Sequence, residues 1–314
     1  MSELALVTGG AGFIGSHLVR ALLARGDRVR VLDDLSSGKR ENLVEVGADV
    51  ELVVGDVRDE AAVAAAVRGA AVVYHQAALP SVPRSIEEPA RSFEVNVVGT
   101  HRLLLAARAA GARRLVLASS SSVYGDQPEL PKHEAMAPRP CSPYAAQKLA
   151  AEQLGMACAR SLGLEVVALR YFNVYGPRQD PASAYAAVVP AFAAALAEGK
   201  RPLVHGDGGQ TRDFTFVEDV ARANLLAGSV AGASGHAMNV AGGRRVSILD
   251  IFRAIARLVG SELTPVHGPT RAGDVRDSLA SVALAEQVLG WRPTTSLEDG
   301  LARTVRSVVT RTHA

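Results

Sequence analysis

The chain has 314 residues, and its 34 lysines and arginines balance 32 aspartates and glutamates to a formal net charge of +2. The two signs are interleaved, which excludes the basic stripe of a nucleic-acid-binding surface, and Cys141 and Cys158 lack the spacing of a zinc knuckle or a disulfide framework. The longest apolar run, residues 184–197, contains Pro190 and is too short to span a bilayer. We therefore expect a cytoplasmic protein of one large or two unequal domains, without metal, nucleic-acid partner or membrane segment.

Strand-like and helix-like patterns alternate along the first half of the chain. Short apolar runs predict strands, and apolar residues at helical spacing predict helices that stop at glycines such as Gly26 and Gly111. The predicted strands cover residues 4–7, 29–32, 50–54, 71–74, 115–118 and 164–170, and the predicted helices cover residues 13–24, 59–68, 89–110 and 142–162. This alternation predicts an α/β fold of the Rossmann type, with a doubly wound parallel sheet.

After Arg170 the alternation breaks, and prolines and glycines separate shorter elements. We expect a dinucleotide-binding domain over residues 1–175 and a smaller, partly interleaved lobe over residues 176–314. Segments within residues 213–240 are expected to return to the sheet of the first domain. Residues 296–299 have the form of a capping box, which predicts that a last helix begins there.

The glycine-rich turn Thr8-Gly9-Gly10-Ala11-Gly12-Phe13-Ile14-Gly15 ends the first predicted strand and opens the first predicted helix. In this position backbone N–H groups and the positive end of the helix dipole face a pyrophosphate. Gly12 would let the backbone approach the phosphates, and Gly15 would let the helix lie close to the strand. The turn therefore predicts a bound dinucleotide; an ordinary βα turn without a ligand is the alternative, because 29 glycines produce many such spacings by chance.

The pair Asp33-Asp34 ends the second predicted strand, where a carboxylate accepts the ribose hydroxyls of an adenosine. At about 5 Å and an effective dielectric near 20, a 2′-phosphate would be repelled by roughly 3 kcal/mol, which is about a hundredfold in affinity. NAD is therefore preferred over NADP. The basic pair Lys39-Arg40 argues for NADP instead, because it could bind a phosphate. Asp56-Val57, after the third strand, is placed to border the adenine, although an acidic residue there is as often a helix cap.

Tyr144 and Lys148 lie one helical turn apart in the predicted helix 142–162, so the phenol and the ammonium share one face. Ser142 can cap this helix, and Pro143 suits its first position. A useful phenolate fraction at neutral pH needs the pKa of the phenol to fall by about two units, or roughly 2.7 kcal/mol. A lysine cation about 5 Å away supplies on the order of 3 kcal/mol at an effective dielectric of 20. This predicts a tyrosine base that a lysine activates, and a surface pair on an amphipathic helix is the alternative.

Four consecutive serines, residues 119–122, follow the fifth predicted strand at the carboxyl edge of the sheet, where open α/β proteins bind ligands. A hydroxyl in this position can hold a substrate oxygen against Tyr144. Four adjacent serines are equally typical of an ordinary loop, and their spacing does not choose one of them.

In this order, the glycine turn, the acidic strand end, the serine run and the Tyr-x3-Lys pair resemble the extended short-chain dehydrogenase/reductase family. Further motifs resemble its nucleotide-sugar 4-epimerase branch, and they lie at residues 75–78, 122–125, 170–179, 212–214, 271–276 and 289–293. The similarity covers nearly the whole chain. Dehydratases of the family carry an Asp-Glu pair, and decarboxylases a glutamate, at the place where this chain has Ser121-Ser122.

The resemblance implies a role for each residue that matches a family motif. Tyr144 would be the base, Lys148 its activator and Ser120 the hydroxyl partner, with Ser121 or Ser122 in its place. The implied cofactor contacts are Gly9, Gly12, Phe13, Ile14, Gly15, Asp33, Asp34, Ser37, Gly38, Asp56, Val57, Ala77, Ala78, Asn96, Tyr144, Lys148 and Tyr171. The implied contacts to a UDP-sugar are Ser81, Ser120, Tyr144, Asn173, Val189, Arg212, Arg271, Asp274 and Ser278, so residues 176–314 would form mainly a substrate lobe.

The activity that the resemblance implies is the NAD-dependent inversion of C4 in a UDP-hexose through a transient 4-keto sugar. Tyr144 would take the proton of the 4-hydroxyl while NAD takes the hydride, and the hydride would return to the opposite face, so that NAD stays bound. In the family a bulky residue at position 278 is associated with plain hexoses. Ser278 therefore implies that UDP-GlcNAc and UDP-GalNAc are accepted beside UDP-Glc and UDP-Gal; a serine that merely lines a loop is the alternative.

Three alternative functions stay open at this point. They are a UDP-glucuronate 4-epimerase, a nucleotide-sugar reductase or dehydrogenase that releases its cofactor, and an NAD-sensing regulatory protein of the same fold. The Tyr144/Lys148 pair argues against the sensor, because such proteins usually lose it. The resemblance also implies a homodimer built from helices 89–110 and 142–162, although the apolar content of these helices equally suits packing within one subunit.

Overall fold

The computed structural model describes residues 3–181, 187–270 and 275–312, and its centre is a seven-stranded parallel sheet. The strands are β1 (Leu4–Thr8), β2 (Arg28–Asp33), β3 (Val50–Val54), β4 (Val72–His75), β5 (Arg114–Ser120), β6 (Glu165–Tyr171), β7 (Val174–Tyr175), β8 (Leu203–His205), β9 (Thr211–Asp213), β10 (Thr215–Phe216), β11 (Ala237–Val240), β12 (Arg245–Ser247) and β13 (Val266–Gly268). The α-helices are α1 (Phe13–Ala24), α2 (Glu60–Val67), α3 (Val82–Glu87), α4 (Pro89–Phe93), α5 (Thr100–Ala109), α6 (Pro143–Ser161), α7 (Val188–Ala197), α8 (Val217–Ser229), α9 (Ile248–Val259), α10 (Ala283–Leu289) and α11 (Leu297–Thr312). Two 3₁₀ segments cover Arg40–Asp49 and Ser121–Tyr124.

The strand order of the sheet is β11-β6-β5-β4-β1-β2-β3, and all neighbouring strands in it run parallel. The chain moves outward from β1 to β3 and then restarts at β4, on the other side of β1. At such a switch point the connections diverge and leave a crevice at the carboxyl ends of the two strands. The doubly wound α/β fold predicted from the sequence is confirmed.

Helices cover both faces of the sheet, and the first strand shows how its side chains are shared between them. Leu6 packs in one buried cluster with α2, α5 and α6, whereas Ala5 and Val7 pack on the other face with α1 and α8. Side chains alternate across a strand, so a strand that is covered on both faces is apolar along its whole length. This is why the buried strands appear in the sequence as continuous apolar runs.

The residues after Tyr175 build a smaller core from α7, α9 and α11, in which the rings of Phe192 and Phe252 meet edge to face with centroids 6.0 Å apart. Between these helices the chain returns to the sheet, since α8 packs on it and β11 pairs with β6. Trp291 is fully buried in the sheet core, and its indole N–H donates to the Asp219 carbonyl oxygen at 3.0 Å. The two cores are therefore interleaved along the chain, and a domain boundary at residue 175 stays a prediction.

The predicted helix over residues 89–110 is present and is helical from Pro89 to Ala109, but it is not α-helical throughout. Between α4 and α5 the backbone forms a π-helical turn over Glu94–Gly99. Thr100 follows this turn, and its hydroxyl donates to the Asn96 carbonyl oxygen at 2.7 Å. A side chain that bonds to the preceding turn competes with the regular helix ladder, and three valines within the turn disfavour it further. The apolar spacing continues through the turn, so the periodicity alone did not reveal it.

The ends of several elements follow from local signals in the sequence. α1 and β3 have the predicted bounds, and α11 begins after Ser296, whose hydroxyl accepts the Asp299 N–H at 3.0 Å as the capping box predicts. In the part of the chain that the structure describes, no helix is long and apolar enough to cross a membrane. Within the same residues no three side chains form a possible metal-binding group.

Candidate active site

A cavity of about 690 Å³ lies at the crevice between β1 and β4. It extends from the carboxyl ends of β2 and β3 to the serine run that follows β5. Its walls contain most of the predicted site residues, namely Gly9, Gly12, Phe13, Ile14, Gly15, Asp33, Asp34, Ser37, Gly38, Asp56, Val57, Ala77, Ala78, Ser120, Ser121, Ser122, Tyr144, Lys148, Tyr171, Asn173, Arg212 and Ser278. The fold thus brings the glycine turn and the Tyr/Lys pair to one cavity.

The glycine turn is held by contacts that leave no room for side chains. Gly9 has a φ of +69°, and a Cβ there would lie 2.7 Å from the Ala77 nitrogen. A Cβ on Gly15 would lie 2.1 Å from the Gly9 carbonyl oxygen, so the helix packs directly on the turn. No side chain caps α1 at Gly12, which leaves the helix N-terminus to face the cavity. This cradle fits the pyrophosphate of a dinucleotide, because it offers backbone donors and the positive end of the dipole.

Asp33 lies at the end of β2 and is buried against the glycine turn. Its carboxylate accepts the N–H groups of Ala11 and Leu35, each at 2.9 Å. Burial raises the pKa of Asp33, and these two bonds oppose the rise. Each carboxylate oxygen takes one N–H and keeps a further lone pair, which suits the ribose hydroxyls of an adenosine.

A hydrogen-bond relay with a fixed direction lies beside the turn. The Thr100 hydroxyl donates to the Asn96 carbonyl oxygen, so it accepts from Nε2 of His75 at 2.9 Å. Nδ1 of His75 accepts the Thr8 hydroxyl at 2.7 Å, and the Thr8 oxygen accepts the Ala77 N–H at 3.3 Å. Burial lowers the pKa of His75 to about 3, which keeps the ring neutral. The relay fixes the loop after β4 against the turn, a role that the His75 motif alone did not indicate.

Tyr144 lies in the first turn of α6, and the predicted cap by Ser142 is present. The phenol and the Ser120 hydroxyl line the same cavity, and Ser120 lowers the pKa of the phenol. Oγ of Ser122 donates to Oγ of Ser120 at 2.8 Å. Of the three candidate serines, Ser120 is therefore the one placed against the phenol, because β5 ends at this residue and the 3₁₀ segment begins with Ser121.

The electrostatics of the Tyr/Lys pair differ from the expectation. Burial raises the pKa of Tyr144 to about 12, and the bond to Ser120 opposes this rise. Burial also lowers the pKa of Lys148 to about 8, and its Nζ donates to the Ala118 carbonyl oxygen at 2.9 Å. The predicted fall in the phenol pKa is therefore wrong for the protein groups alone. Desolvation dominates the pKa of the phenol, so a phenolate needs a positive charge nearby.

A buried polar network behind the serine run was not predicted. Nη2 of Arg170 lies 2.6 Å from Oε1 of Glu152, and Glu152 also accepts the Ser119 hydroxyl at 2.7 Å. Arg170 donates to the Tyr124 hydroxyl at 2.9 Å, which in turn donates to Asn239 at 2.7 Å. The network ties the end of β5 to α6, β6 and β11. One sequence signal was available, since Glu152 lies one helical turn after Lys148 on the same helix face.

The predicted substrate contacts are only partly described. Asn173, with a φ of +27°, Arg212 and Ser278 all line the cavity. The Asn173 amide donates to a backbone carbonyl at 3.2 Å, and Nη1 of Arg212 donates to another at 2.9 Å. Arg271 and Asp274 lie outside the described residues.

Asn96 and Ser81, two predicted ligand contacts, do not line the cavity. The Asn96 amide is buried and used by the protein, since Oδ1 accepts the Leu79 N–H and Nδ2 donates to Gln147, each at 2.9 Å. The Ser81 hydroxyl caps α3 by accepting the Arg84 N–H at 3.2 Å. In this structure both side chains bond within the protein and shape the loop after β4, and their contact with a ligand stays a prediction.

A second cavity of about 290 Å³ adjoins the first and shares Asn173 and Arg212 with it. Its walls are mostly apolar and include Val189, Phe192 and Leu203. Val189, predicted as a substrate contact, therefore lies in this cavity and not on the wall of the larger one. No motif predicted the second cavity, because α7, β8 and the start of α9 supply its walls.

The chain is similar to known proteins in both its sequence and its structure. Residues 5–241 match the NAD dependent epimerase/dehydratase family. A UDP-glucose 4-epimerase of Mycolicibacterium smegmatis is 45% identical over 304 residues, which is 96% of each chain. The solved UDP-N-acetylglucosamine 4-epimerase of Methanobrevibacter ruminantium M1 is 38% identical, with a TM-score of 0.94 over 99% of this chain and 100% of that one. The UDP-glucose 4-epimerase of Thermus thermophilus, solved with NAD, is 41% identical, with a TM-score of 0.90 over 97% and 98%.

Proposed function

Because the chain belongs to the NAD-dependent epimerase/dehydratase family, we propose that it is an enzyme that inverts C4 of a UDP-hexose with a resident NAD. One observation carries the proposal: Tyr144, Lys148 and Ser120 line the same cavity as the glycine turn. A base beside a dinucleotide cradle suits the removal of a proton and a hydride from one carbinol. The similarity to UDP-sugar 4-epimerases supports the same reaction.

The cofactor is held by groups from β1, α1 and β2. The N-terminus of α1 binds the pyrophosphate, and Asp33 accepts the ribose hydroxyls, which disfavours a 2′-phosphate. Lys39, the counter-signal for NADP, lies 3.0 Å from Asp180, so its charge is already paired within the protein. NAD bound here would accept the hydride from C4 and return it, and its oxidised ring would add positive charge near Tyr144.

Tyr144 acts as the base for the sugar 4-hydroxyl and returns the proton after inversion. Ser120, which lines the cavity with Tyr144, holds the sugar oxygen beside the phenol. Lys148 contributes a buried ammonium whose position is fixed by the Ala118 carbonyl. Since the protein alone leaves the phenol with a pKa of about 12, the base is active only when the site carries a further positive charge.

The substrate is held at the end of the cavity where the second lobe begins. Arg212 provides a guanidinium for the diphosphate, with Asn173 beside it, and the adjoining apolar cavity takes the uridine. By the family resemblance, Arg271 and Asp274 also bind the uridine diphosphate. Ser278 leaves space for an N-acetyl group, so the proposal includes UDP-GlcNAc and UDP-GalNAc. Residues 176–314 thus supply most of the substrate contacts, and residues 1–175 most of the cofactor contacts.

We further propose a cytoplasmic homodimer. Helices α3, α4 and α5 carry exposed apolar side chains, namely Ile86, Phe93 and Leu105, and α4 and α5 lie within the predicted interface helix over residues 89–110. Apolar side chains grouped on neighbouring helices are typical of a subunit interface.

The test is turnover of UDP-galactose by purified protein without added NAD(H), followed by product analysis and by the absorbance of NADH. We expect UDP-glucose to form up to equilibrium with no net NADH. Stoichiometric NADH would instead indicate a dehydrogenase, and NAD binding without turnover would indicate a sensor. Turnover of UDP-glucuronate alone would assign the chain to the uronate 4-epimerases.

A further inference from the structure

Lys39 and Asp180 form an ion pair between two segments that are far apart in the sequence. Lys39 Nζ lies 3.0 Å from Asp180 Oδ2, with both side chains partly exposed. Residues 36–38 line the cavity beside Asp33, and residues 179–180 line it from the segment that follows β7. The pair therefore joins two cavity-lining segments at the end of the cavity that Asp33 marks.

Residues 176–180, which we name the strap, are held at two further points. Nε2 of His17 in α1 bonds to the Pro177 carbonyl oxygen at 2.9 Å. Because burial lowers the pKa of His17 to about 3, the ring is neutral and donates its Nε2–H to this carbonyl. Arg178 lies 3.9 Å from Glu45 in the 3₁₀ segment after β2. The strap is thus attached to α1, which opens at the dinucleotide cradle, and to the 3₁₀ segment that follows β2.

The backbone of the strap is not in a relaxed conformation. Arg178 has a φ of +66°, in the left-handed region that residues other than glycine and asparagine rarely adopt. Such a conformation persists only where surrounding contacts impose it, and it is common at ligand clamps. The contacts of His17 and Asp180 on either side of Arg178 supply this constraint.

We propose that Lys39 and Asp180 form a clasp that retains the dinucleotide between turnovers, a proposal that rests on the proposed function because that function needs a resident cofactor. A dinucleotide that leaves past its adenosine end must part the strap from the segment after β2. The Lys39–Asp180 pair breaks in that step. An exposed ion pair changes a rate by a factor of a few, so the clasp slows release without making it irreversible.

A direct contact between Lys39 and the dinucleotide would predict a different effect of Asp180 on the rate of release. If Lys39 bound a phosphate of the dinucleotide directly, Asp180 would compete for its ammonium, and removal of Asp180 would leave release unchanged or slow it. If Lys39 acts through Asp180, removal of either partner speeds release equally. Substitution of Asp180 therefore separates the two roles.

The experiment measures release of NAD from the holoenzyme. Protein loaded with radiolabelled NAD is mixed with excess unlabelled NAD, and the label that stays on the protein is followed by filtration. We expect Lys39→Ala and Asp180→Ala each to release NAD about fivefold faster than the wild type, which corresponds to about 1 kcal/mol. The exchanged pair Lys39→Asp/Asp180→Lys should return the rate to within about twofold of the wild type. Arg40→Ala, a neighbouring exposed basic residue, is the matched control and should release NAD at the wild-type rate.

Salt provides a second readout. Release from the wild type should quicken as KCl is raised, because salt screens exposed charges, whereas Lys39→Ala should respond little. Equal release from wild type and both single variants would overturn the clasp, as would fast release from Lys39→Ala beside unchanged release from Asp180→Ala. A protein that inverts UDP-galactose yet shows these equal rates refutes the clasp alone. A wild type that neither retains NAD nor inverts C4 refutes both the clasp and the proposed function.

Discussion

Desolvation sets the charge states of the single residues around the cavity. It is the largest cause of the raised pKa of Tyr144 and of the lowered pKa values of Lys148 and His75. For His75 the result is a neutral ring with a defined tautomer, which suits a positioning role. For Lys148 the result is a buried charge that lowers the stability of the fold. Residues of active sites often carry such a cost in stability.

Substitution of Lys148 by methionine should stabilise the nucleotide-free protein while abolishing activity. The pKa of Lys148 falls from 10.5 to about 8, a difference worth about 3 kcal/mol at neutral pH, and the lost bond to Ala118 returns about 1 kcal/mol. We therefore expect Lys148→Met to gain about 2 kcal/mol in free energy of unfolding at pH 7, measured with urea.

The stability gained by Lys148→Met should depend on pH. Below pH 8 the lysine is charged in both the folded and the unfolded state, so the folded protein bears the full desolvation penalty. Between pH 8 and 10.5 the folded protein loses the proton first, and the wild type becomes more stable relative to Lys148→Met. A variant that is less stable than the wild type at pH 7 would contradict this account of the lysine.

Ser278 is the residue at which substrate choice is expected to be decided. Ser278→Tyr should fill the space for an N-acetyl group, so turnover of UDP-GalNAc should fall by about a hundredfold or more while UDP-galactose is still turned over. Both rates are measured by C4 inversion with separate substrates, and Ser278→Ala, which keeps the space, is the control. Equal activity of Ser278→Tyr on both substrates would show that residue 278 does not decide whether N-acetylated substrates are accepted.

Which residues could be predicted from the sequence depends on how local their signals are. Tyr144 and Ser142 follow from spacing and capping within one helix, and the structure places both as expected. The choice of Ser120 among the serines could not be made, because it depends on where β5 ends. The pKa of Tyr144 was predicted in the wrong direction, because burial is a tertiary property that the motif does not contain.

At the scale of elements, α6 organises the site. Its cap fixes the register of the helix, and the helix then presents Tyr144, Lys148 and Glu152 at intervals of one turn on one face. The first two face the cavity, whereas Glu152 is buried and pairs with Arg170 of β6. The same helix therefore carries the reacting groups and the anchor that locks it to the sheet.

Glu152→Gln should be strongly destabilising. Glu152 is 0% exposed and Arg170 4% exposed, so loss of the carboxylate leaves a buried guanidinium without its counter-charge. Breaking such a pair costs about 3–5 kcal/mol, which should appear in urea unfolding. Glu88→Gln, which breaks an exposed pair with Arg84, is the matched control and should cause no measurable loss. An equal and small effect of both substitutions would show that the buried network does not hold α6 in place.

The bounds of the predicted elements are correct where a single periodicity ends at a clear stop signal, as in α1 and β3. Over residues 89–110 the predicted helix is present, but its apolar periodicity did not reveal the π-helical turn at Glu94–Gly99. The short strands β7 to β10 gave no pattern at all, because two or three residues are too few to show alternation.

At the scale of the whole molecule, the interleaving of the two cores shapes the site. The chain crosses from the sheet to the smaller core and back, so both cores contribute walls to the cavity. The fold class follows from the order of strands and helices in the sequence. The second cavity and the strap could not be predicted, because they arise from contacts between segments that no local pattern connects.

The proposed homodimer leads to a prediction at this scale. Phe93 is 50% exposed on α4, and Phe93→Glu would place a charge on the proposed interface face. We expect the wild type to be a dimer and Phe93→Glu a monomer in light scattering after gel filtration. Leu258→Glu is the matched control, since Leu258 is 45% exposed on α9, away from this face, and the variant should stay dimeric. A monomeric wild type would contradict the proposed assembly.

The measurement that tests the central claim most directly follows the hydride itself. UDP-galactose that carries deuterium at C4 is incubated with the protein in ordinary water with excess unlabelled NADH, and the product is analysed by NMR. If one NAD held on the glycine turn takes the hydride and returns it, the UDP-glucose formed keeps the deuterium at C4, and Tyr144→Phe forms almost none of it. Product that has lost the deuterium, or inversion that survives Tyr144→Phe, would contradict the account.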